Sequence, residues 1–211
     1  MVYGTREVKT TLRQVASYRK RDPFKILIAT ILSQRTRDEN TSRATKLLFA
    51  RFPSAKALAK APLRTVERLI RPAGFYHVKA KKIKEVARAI MKQHGGNVPR
   101  DLESLLELPL VGRKTANCVL VYGFGEPAIP VDTHVHRISN RLGIVKSKTP
   151  VQTEDQLMRY FDRKLWIEVN ELMVRFGKTI CKPIGPRCDV CRLRNFCKWY
   201  AENRFRSRKL H

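Results

Sequence analysis

The chain has 211 residues, 43% of them hydrophobic, with 44 Lys and Arg against 18 Asp and Glu, a formal net charge of +26. That composition excludes an acidic disordered chain, and a chain of this length buries about two-thirds or more of its unfolded surface, enough for one good core or two small ones. The excess charge repels itself unless an anion compensates it, which points to nucleic acid and leaves a generally basic protein with scattered Lys and Arg as the plain alternative.

Helical periodicity runs through almost every segment and no apolar/polar alternation is long enough for a strand, so the expected fold class is all-α. Residues 23–33, PFKILIATILS, open on a proline and are apolar on nearly all sides. They are too short for the ~20 residues of a membrane span and read as a central helix buried by its neighbours. No other stretch is long enough either, and MVYGTREVKT lacks the apolar run of a secretory signal. The expected place is the cytoplasm, or the nucleus in a eukaryote, with no membrane partner. Amphipathic helices follow from about Asn40 to Phe49, from Pro62 through Ile70, and over 77–93. The last turns Ile83, Val86, Ala87, Ile90 and Met91 inward and Lys81, Lys84, Arg88 and Lys92 outward.

Asp101 caps a helix through Leu102, Leu105 and Leu106 that must end at Leu108, before Pro109. Pro-Leu-Val-Gly then turns into a second helix beginning near Arg113. Gly112 lets the backbone approach a ligand, and the outward amides of the new helix suit a phosphate, although an ordinary αα-hairpin has the same outline. Lys114 falls in the first turn of that helix. An amine nucleophile needs its pKa brought down from about 10.4 to about 7 to 8, which a helix N-terminus, Arg113 and partial burial would together favour. Asp132 stands in Val-Asp-Thr-His-Val-His-Arg as an N-cap for the helix of Val135 and Ile138, or as a carboxylate facing the same cleft as Lys114.

Farther on, Thr153-Glu-Asp-Gln156 reads as a capping box that starts a helix, and the next helix, carrying Leu165, Val169, Leu172, Met173 and Phe176, is expected to stop at Gly177. Cys181, Cys188, Cys191 and Cys197 crowd into seventeen residues, while Cys118 lies apart and reads as a buried core thiol. Four cysteines in a reducing compartment favour a metal or cluster site over disulfides, and both zinc and iron-sulfur accept such a set. Zinc sites typically use two short pairs; C-x6-C-x2-C-x5-C has one.

Leu108-Pro-Leu-Val-Gly-Arg-Lys114-Thr-Ala-Asn117, then Val131-Asp-Thr-His134, then the cysteine run, resemble in order the endonuclease III family of helix-hairpin-helix DNA glycosylases. The resemblance implies two all-α lobes: a six-helix barrel over 19–126, and a lobe of 1–18 with 127–211 holding a [4Fe-4S] cluster on Cys181, Cys188, Cys191 and Cys197. It implies a monomer that binds double-stranded DNA containing damaged bases or abasic sites. The implied activity is removal of oxidised pyrimidines and β-elimination through a lysine Schiff base, with Lys114 as nucleophile and Asp132 as catalytic aspartate. A wedge at Gln34 or Arg35, a second at Phe75, hairpin contacts at Val111, Gly112 and Arg113, His134, and the basic ends Lys182 and Arg187 of the cysteine loop are the implied DNA contacts. The family's hairpin usually reads Leu-Pro-Gly-Val-Gly, so Leu110 is expected to distort the turn or hold it farther from a phosphate. Two rival readings are a mismatch or uracil-type glycosylase of the same superfamily and a structure-specific DNA-binding protein without chemistry.

Overall fold

In the computed structural model, which describes residues 22–203, the Asp22 carboxylate accepts from the Lys25 amide at 3.0 Å and Pro23 presets the first turn of helix α1 (Pro23–Ser33). Phe24, Ile26, Leu27, Ile28, Ile31 and Leu32 are all buried. Each such side chain contributes about 1.5–3 kcal/mol on leaving water, so α1 organises its surroundings. Helix α2 (Asp38–Arg51) packs on it, and α3 (Ala55–Lys60) and α4 (Leu63–Ile70) pack on α5 (Tyr76–Gln93).

Of the predicted inward stripe of α5, Ile83, Val86, Ala87 and Ile90 are buried and Met91 only partly, and Lys84 is not outward. Its ammonium is buried and donates to the carbonyls of Leu58 at 3.3 Å, Ala59 at 3.0 Å and Ala61. Those carbonyls close the C-terminus of α3, where a cation meets the negative end of the helix dipole. Residue 84 lies four positions from Ala80 on one helical face, so the long stem follows the apolar stripe inward.

The chain divides into two compact units between Glu126 and Pro127. Beyond α5, the first unit holds α6 (Leu102–Glu107) and α7 (Arg113–Cys118), which runs on as a π-helix over Val119–Phe124 against α1. The second unit holds α8 (Thr133–Leu142), α9 (Pro150–Tyr160), α10 (Trp166–Thr179) and α11 (Lys198–Asn203). Its core is built on Ile129, Val131, Val135, Val145, Leu157 and Val169. Among the described residues there is no strand, and no helix is long and apolar enough to cross a membrane. The placement of residues 1–18 in the second lobe lies outside the described residues.

Two predicted boundaries move. Helix α9 starts at Pro150, because Thr149 and Gln152 form the capping box. Thr153 is buried instead, its hydroxyl 2.6 Å from His136 Nδ1, 2.7 Å from Ser147 Oγ and 3.0 Å from the Thr149 carbonyl. Gly177 does not end α10, which continues to Thr179; its smallness serves a contact described below.

Candidate active site and nucleic-acid interface

Asp101 caps α6 by accepting from the Ser104 amide at 2.8 Å, and the helix gives way at Leu108 as Pro109 requires. Leu108 and Val111 are buried and anchor the hairpin, whereas Leu110 is 47% exposed with φ +64°. Leu110 therefore adopts the left-handed backbone a glycine would take, at a cost of about 1–2 kcal/mol. The Val111 amide still closes the turn on the Leu108 carbonyl at 3.2 Å, and the strain is carried at Leu110. Gly112 has φ −89° and ψ 170°, which any residue adopts, and an added Cβ would meet nothing within 4 Å. Nothing inside the chain requires glycine there, and its bareness lets a group from outside come close to the backbone where α7 begins. Arg113 and Lys114 are half-buried in that turn, and Thr115, Ala116, Asn117 and Cys118 are buried behind them.

In the second unit, Asp132 is the N-cap of α8. Its Oδ1 accepts from the amides of His134 and Val135, both at 2.9 Å, and the Asn170 amide donates to the Pro130 carbonyl at 2.6 Å, fixing the approach to the cap. Oδ2 takes no part in this cap. Burial pushes the His134 pKa down, with Arg137 and Lys178 adding to that and the Asp132 carboxylate opposing it. The ring is therefore neutral at pH 7. Arg137 Nη2 lies 3.1 Å from His134 Nδ1. A guanidinium only donates, so Nδ1 accepts and the ring proton sits on Nε2. Gly177 makes this packing possible: a Cβ there would lie 2.3 Å from His134 Nδ1 and 3.0 Å from Arg137 Nη2.

Two turns of the first unit carry the predicted wedges. Gln34 and Arg35 are exposed after α1, and Phe75 is 65% exposed before α5. Arg35 and Phe75 are both left-handed, with φ 54° and 47°, which makes them, with Leu110, the three non-glycine residues of positive φ among the described residues. Buried between the turns is Lys79, whose Nζ donates to the Leu32 carbonyl at 2.8 Å, Thr36 Oγ1 at 2.5 Å and the Ala73 carbonyl at 2.9 Å. Thr36 also donates to the Ala73 carbonyl.

Cys181, Cys188, Cys191 and Cys197 line one cavity together with Arg141, Phe176 and Trp199. Among the described residues, however, no three His, Cys, Asp or Glu side chains close around a point that could hold a metal ion. Burial, then the neighbouring thiols, push the Cys188 thiol up, and burial with Cys181 and Cys197 does the same to Cys191. Arg141 braces this loop: it lies 3.5 Å from Cys181 Sγ, donates to the carbonyls of Lys182 at 2.7 Å and Pro183 at 2.9 Å, and sits 4.6 Å above the Trp199 ring. Lys182 and Arg187, the basic ends of the loop, are exposed.

Residues 28–163 match the family model described as HhH-GPD superfamily base excision DNA repair protein. Endonuclease III of Thermotoga maritima is 51% identical over 87% of this chain and 86% of its own length. The chain belongs to the endonuclease III family. Among solved structures, a trapped endonuclease III-DNA covalent intermediate is similar with a TM-score of 0.82 at 37% identity, covering 87% of each chain. A thermostable thymine-DNA glycosylase follows at 0.79 and 25% identity, over 91% of this chain and 94% of its own.

In this chain the predicted residues fall into separate local groups. Gln34, Arg35 and Phe75 sit on turns joined through Lys79, and Val111, Gly112, Arg113 and Lys114 share the hairpin. Asp132 and His134 share one cap, and His134 is linked through Arg137 to the Cys181 carbonyl at 2.8 Å. Lys79, Arg137 and Arg141 were missed. For Lys79 the signal lay in the helical period, since 79, 83, 86 and 90 form one apolar face on which a lysine must find acceptors. Arg137 and Arg141 are four apart on α8 and face the same loop, a pairing that spacing alone does not tell from a solvated face.

Proposed function

We propose that Lys114 is the nucleophile and Asp132 its carboxylate partner in the DNA glycosylase with AP lyase activity that this family membership makes the chain. The substrate is duplex DNA carrying oxidised pyrimidines or abasic sites. The observation that carries the reading is the hairpin: a left-handed leucine and a bare glycine let a phosphate next to the reacting sugar approach the backbone beside Lys114. A relative 37% identical has been trapped as a covalent intermediate with DNA, which supports an amine nucleophile here.

The reaction follows from these positions. The damaged nucleotide is turned out of the stack, because its C1′ cannot be reached inside it, and Gln34 or Arg35 with Phe75 fills the gap. Lys114 reacts as the free amine. Its nitrogen lone pair attacks C1′ and the bond to the base breaks, the leaving base taking up a proton. Sugar-ring opening gives a Schiff base, and loss of a C2′ proton expels the 3′ phosphate. Asp132, whose Oδ2 lies outside the cap, supplies the carboxylate that stabilises the positive charge developing on the sugar or takes the lysine proton. Arg113 and Gly112 hold the phosphate, and the Nε2 proton of His134 donates to a second one, with Lys182 and Arg187 adding charge.

The cysteine quartet fits a [4Fe-4S] cluster better than zinc. Zinc sites typically use two short cysteine pairs, whereas this run has one, and its four thiols line a common cavity. Burial and the neighbouring thiols push Cys188 and Cys191 up, so these two ionise only against a compensating cation. When bound, the cluster is a structural staple for the loop of Lys182 and Arg187. Iron and sulfide in equal amounts in anaerobically purified protein are expected; one zinc and no sulfide contradict the assignment. The place of action is the cytoplasm, where these thiols stay reduced.

The likeness to a thymine-DNA glycosylase favours one second reading, removal of mismatched or uracil-type bases. Duplexes with thymine glycol, uracil opposite guanine, an abasic site or no lesion separate the readings. Base release with nicking is expected on thymine glycol, and nicking at the abasic site. Base release from uracil alone would favour the second reading, and binding without cleavage would remove the enzyme. Lys114→Ala is expected to abolish borohydride trapping on abasic DNA; an adduct that persists refutes the nucleophile.

A further inference from the structure

Lys79 has no part in the chemistry above, yet it is among the least exposed charges of the described residues, at 5% of its surface. All three of its N–H bonds are spent, and each goes to a different place. Leu32 is in the last turn of α1, Thr36 is in the turn that carries Gln34 and Arg35, and Ala73 is in the turn that carries Phe75. Residues 36 and 73 are far apart in sequence, and the hydroxyl of Thr36 bonds the same Ala73 carbonyl that Lys79 does. One ammonium therefore ties two turns to each other and to the end of α1, alongside the Thr36 bond to Ala73 and the packing of α2 on residues 71–73.

The strain is placed accordingly. Arg35 stands between the Leu32 and Thr36 contacts, and Phe75 between Ala73 and Lys79; both are left-handed non-glycine residues, a state that persists only where the surroundings over-determine it. A buried lysine is costly as packing and would be replaced at no loss by a leucine or methionine if filling space were its only use. Three acceptors converging from two wedge turns and a helix end give it another.

We propose that Lys79 is a positioning residue that locks the two wedge turns in a single register, so that Gln34 or Arg35 and Phe75 enter the vacated stack together. It touches no DNA and no reacting atom. The inference rests on the wedge assignments of the proposed function.

Lys79→Met keeps the bulk and removes the donors. Thr36→Val removes only the bridging hydroxyl and leaves the ammonium its two carbonyls, which guards against a misfolded first variant. Insertion is read with an uncleavable tetrahydrofuran site flanked by 2-aminopurine, whose fluorescence rises on unstacking. At saturating protein the parent is expected to raise the signal, and each variant to reach less than half of that rise. Single-turnover excision of thymine glycol from duplex is expected to fall at least tenfold in Lys79→Met, while cleavage of an abasic site in single-stranded DNA, which needs no wedge, stays within twofold. An undiminished fluorescence rise, or equal losses on both substrates, overturns the lock. The fluorescence arm stands even if the parent cuts nothing, an outcome that would sink the glycosylase reading alone.

Discussion

Asp132 carries two burdens that one substitution can part. Its Oδ1 holds two backbone amides at 2.9 Å, which the amide oxygen of an asparagine does equally well, but only a carboxylate offers charge to an oxocarbenium or a proton acceptor to an ammonium. Asp132→Asn is therefore expected to change stability by under about 1 kcal/mol while lowering glycosylase turnover about a hundredfold or more. Asp132→Ala is expected to lose the activity and in addition about 1–2 kcal/mol of stability. A turnover that survives Asp132→Asn would reduce the residue to its cap. Leu110 shows a limit on reading such side chains in advance: the missing glycine was visible, but whether the backbone or the energy gives way is decided by the buried neighbours Leu108 and Val111, which spacing does not reveal. Leu110→Gly is expected to relieve the left-handed strain and shift stability by less than about 1 kcal/mol, because the freedom gained by the unfolded chain offsets it.

Helix α10 is crowded at Gly177 by its neighbour α8. An alanine there would gain helix propensity of about 1 kcal/mol, but its Cβ, 2.3 Å from His134 Nδ1, forces the ring and Arg137 to move. Overpacking of that kind costs about 1–3 kcal/mol. A net loss of stability and a weaker hold on duplex DNA are expected for Gly177→Ala in thermal melts and titrations; a more stable variant would show that His134 relocates freely. The sequence pattern marked this glycine as a stop because glycine after an apolar run is the usual end of a helix, and the crossing helix that explains it lies some forty residues away. Helices α1, α4 and α5 were legible for the opposite reason: their starts and faces are set by local proline, caps and period. The hairpin and the cysteine run were legible as well, since their residues are neighbours in sequence. The lock between the wedge turns was not, because it joins residues 32, 36, 73 and 79.

Stability as a function of pH reports on that lock in the intact protein. Burial, aided by Lys82, lowers the Lys79 pKa from 10.5 to about 8. Between those values the unfolded chain holds more protons than the folded one, so unfolding becomes harder as pH rises, and the penalty of the buried charge is felt in full only below about 8. The parent is expected to gain melting temperature relative to Lys79→Met between pH 8 and 10; a constant offset would mean that the amine titrates as if in water. The formal charge of +26 acts on binding instead, where log affinity is expected to fall by ~0.9 per neutralised phosphate for each decade of salt. Arg35, Phe75 and Leu110 are already left-handed before any duplex arrives. The disorder these turns surrender is given up once, during folding, so each meeting with one of a genome's countless intact steps demands no local refolding, and rejection of sound DNA can be as quick as its capture.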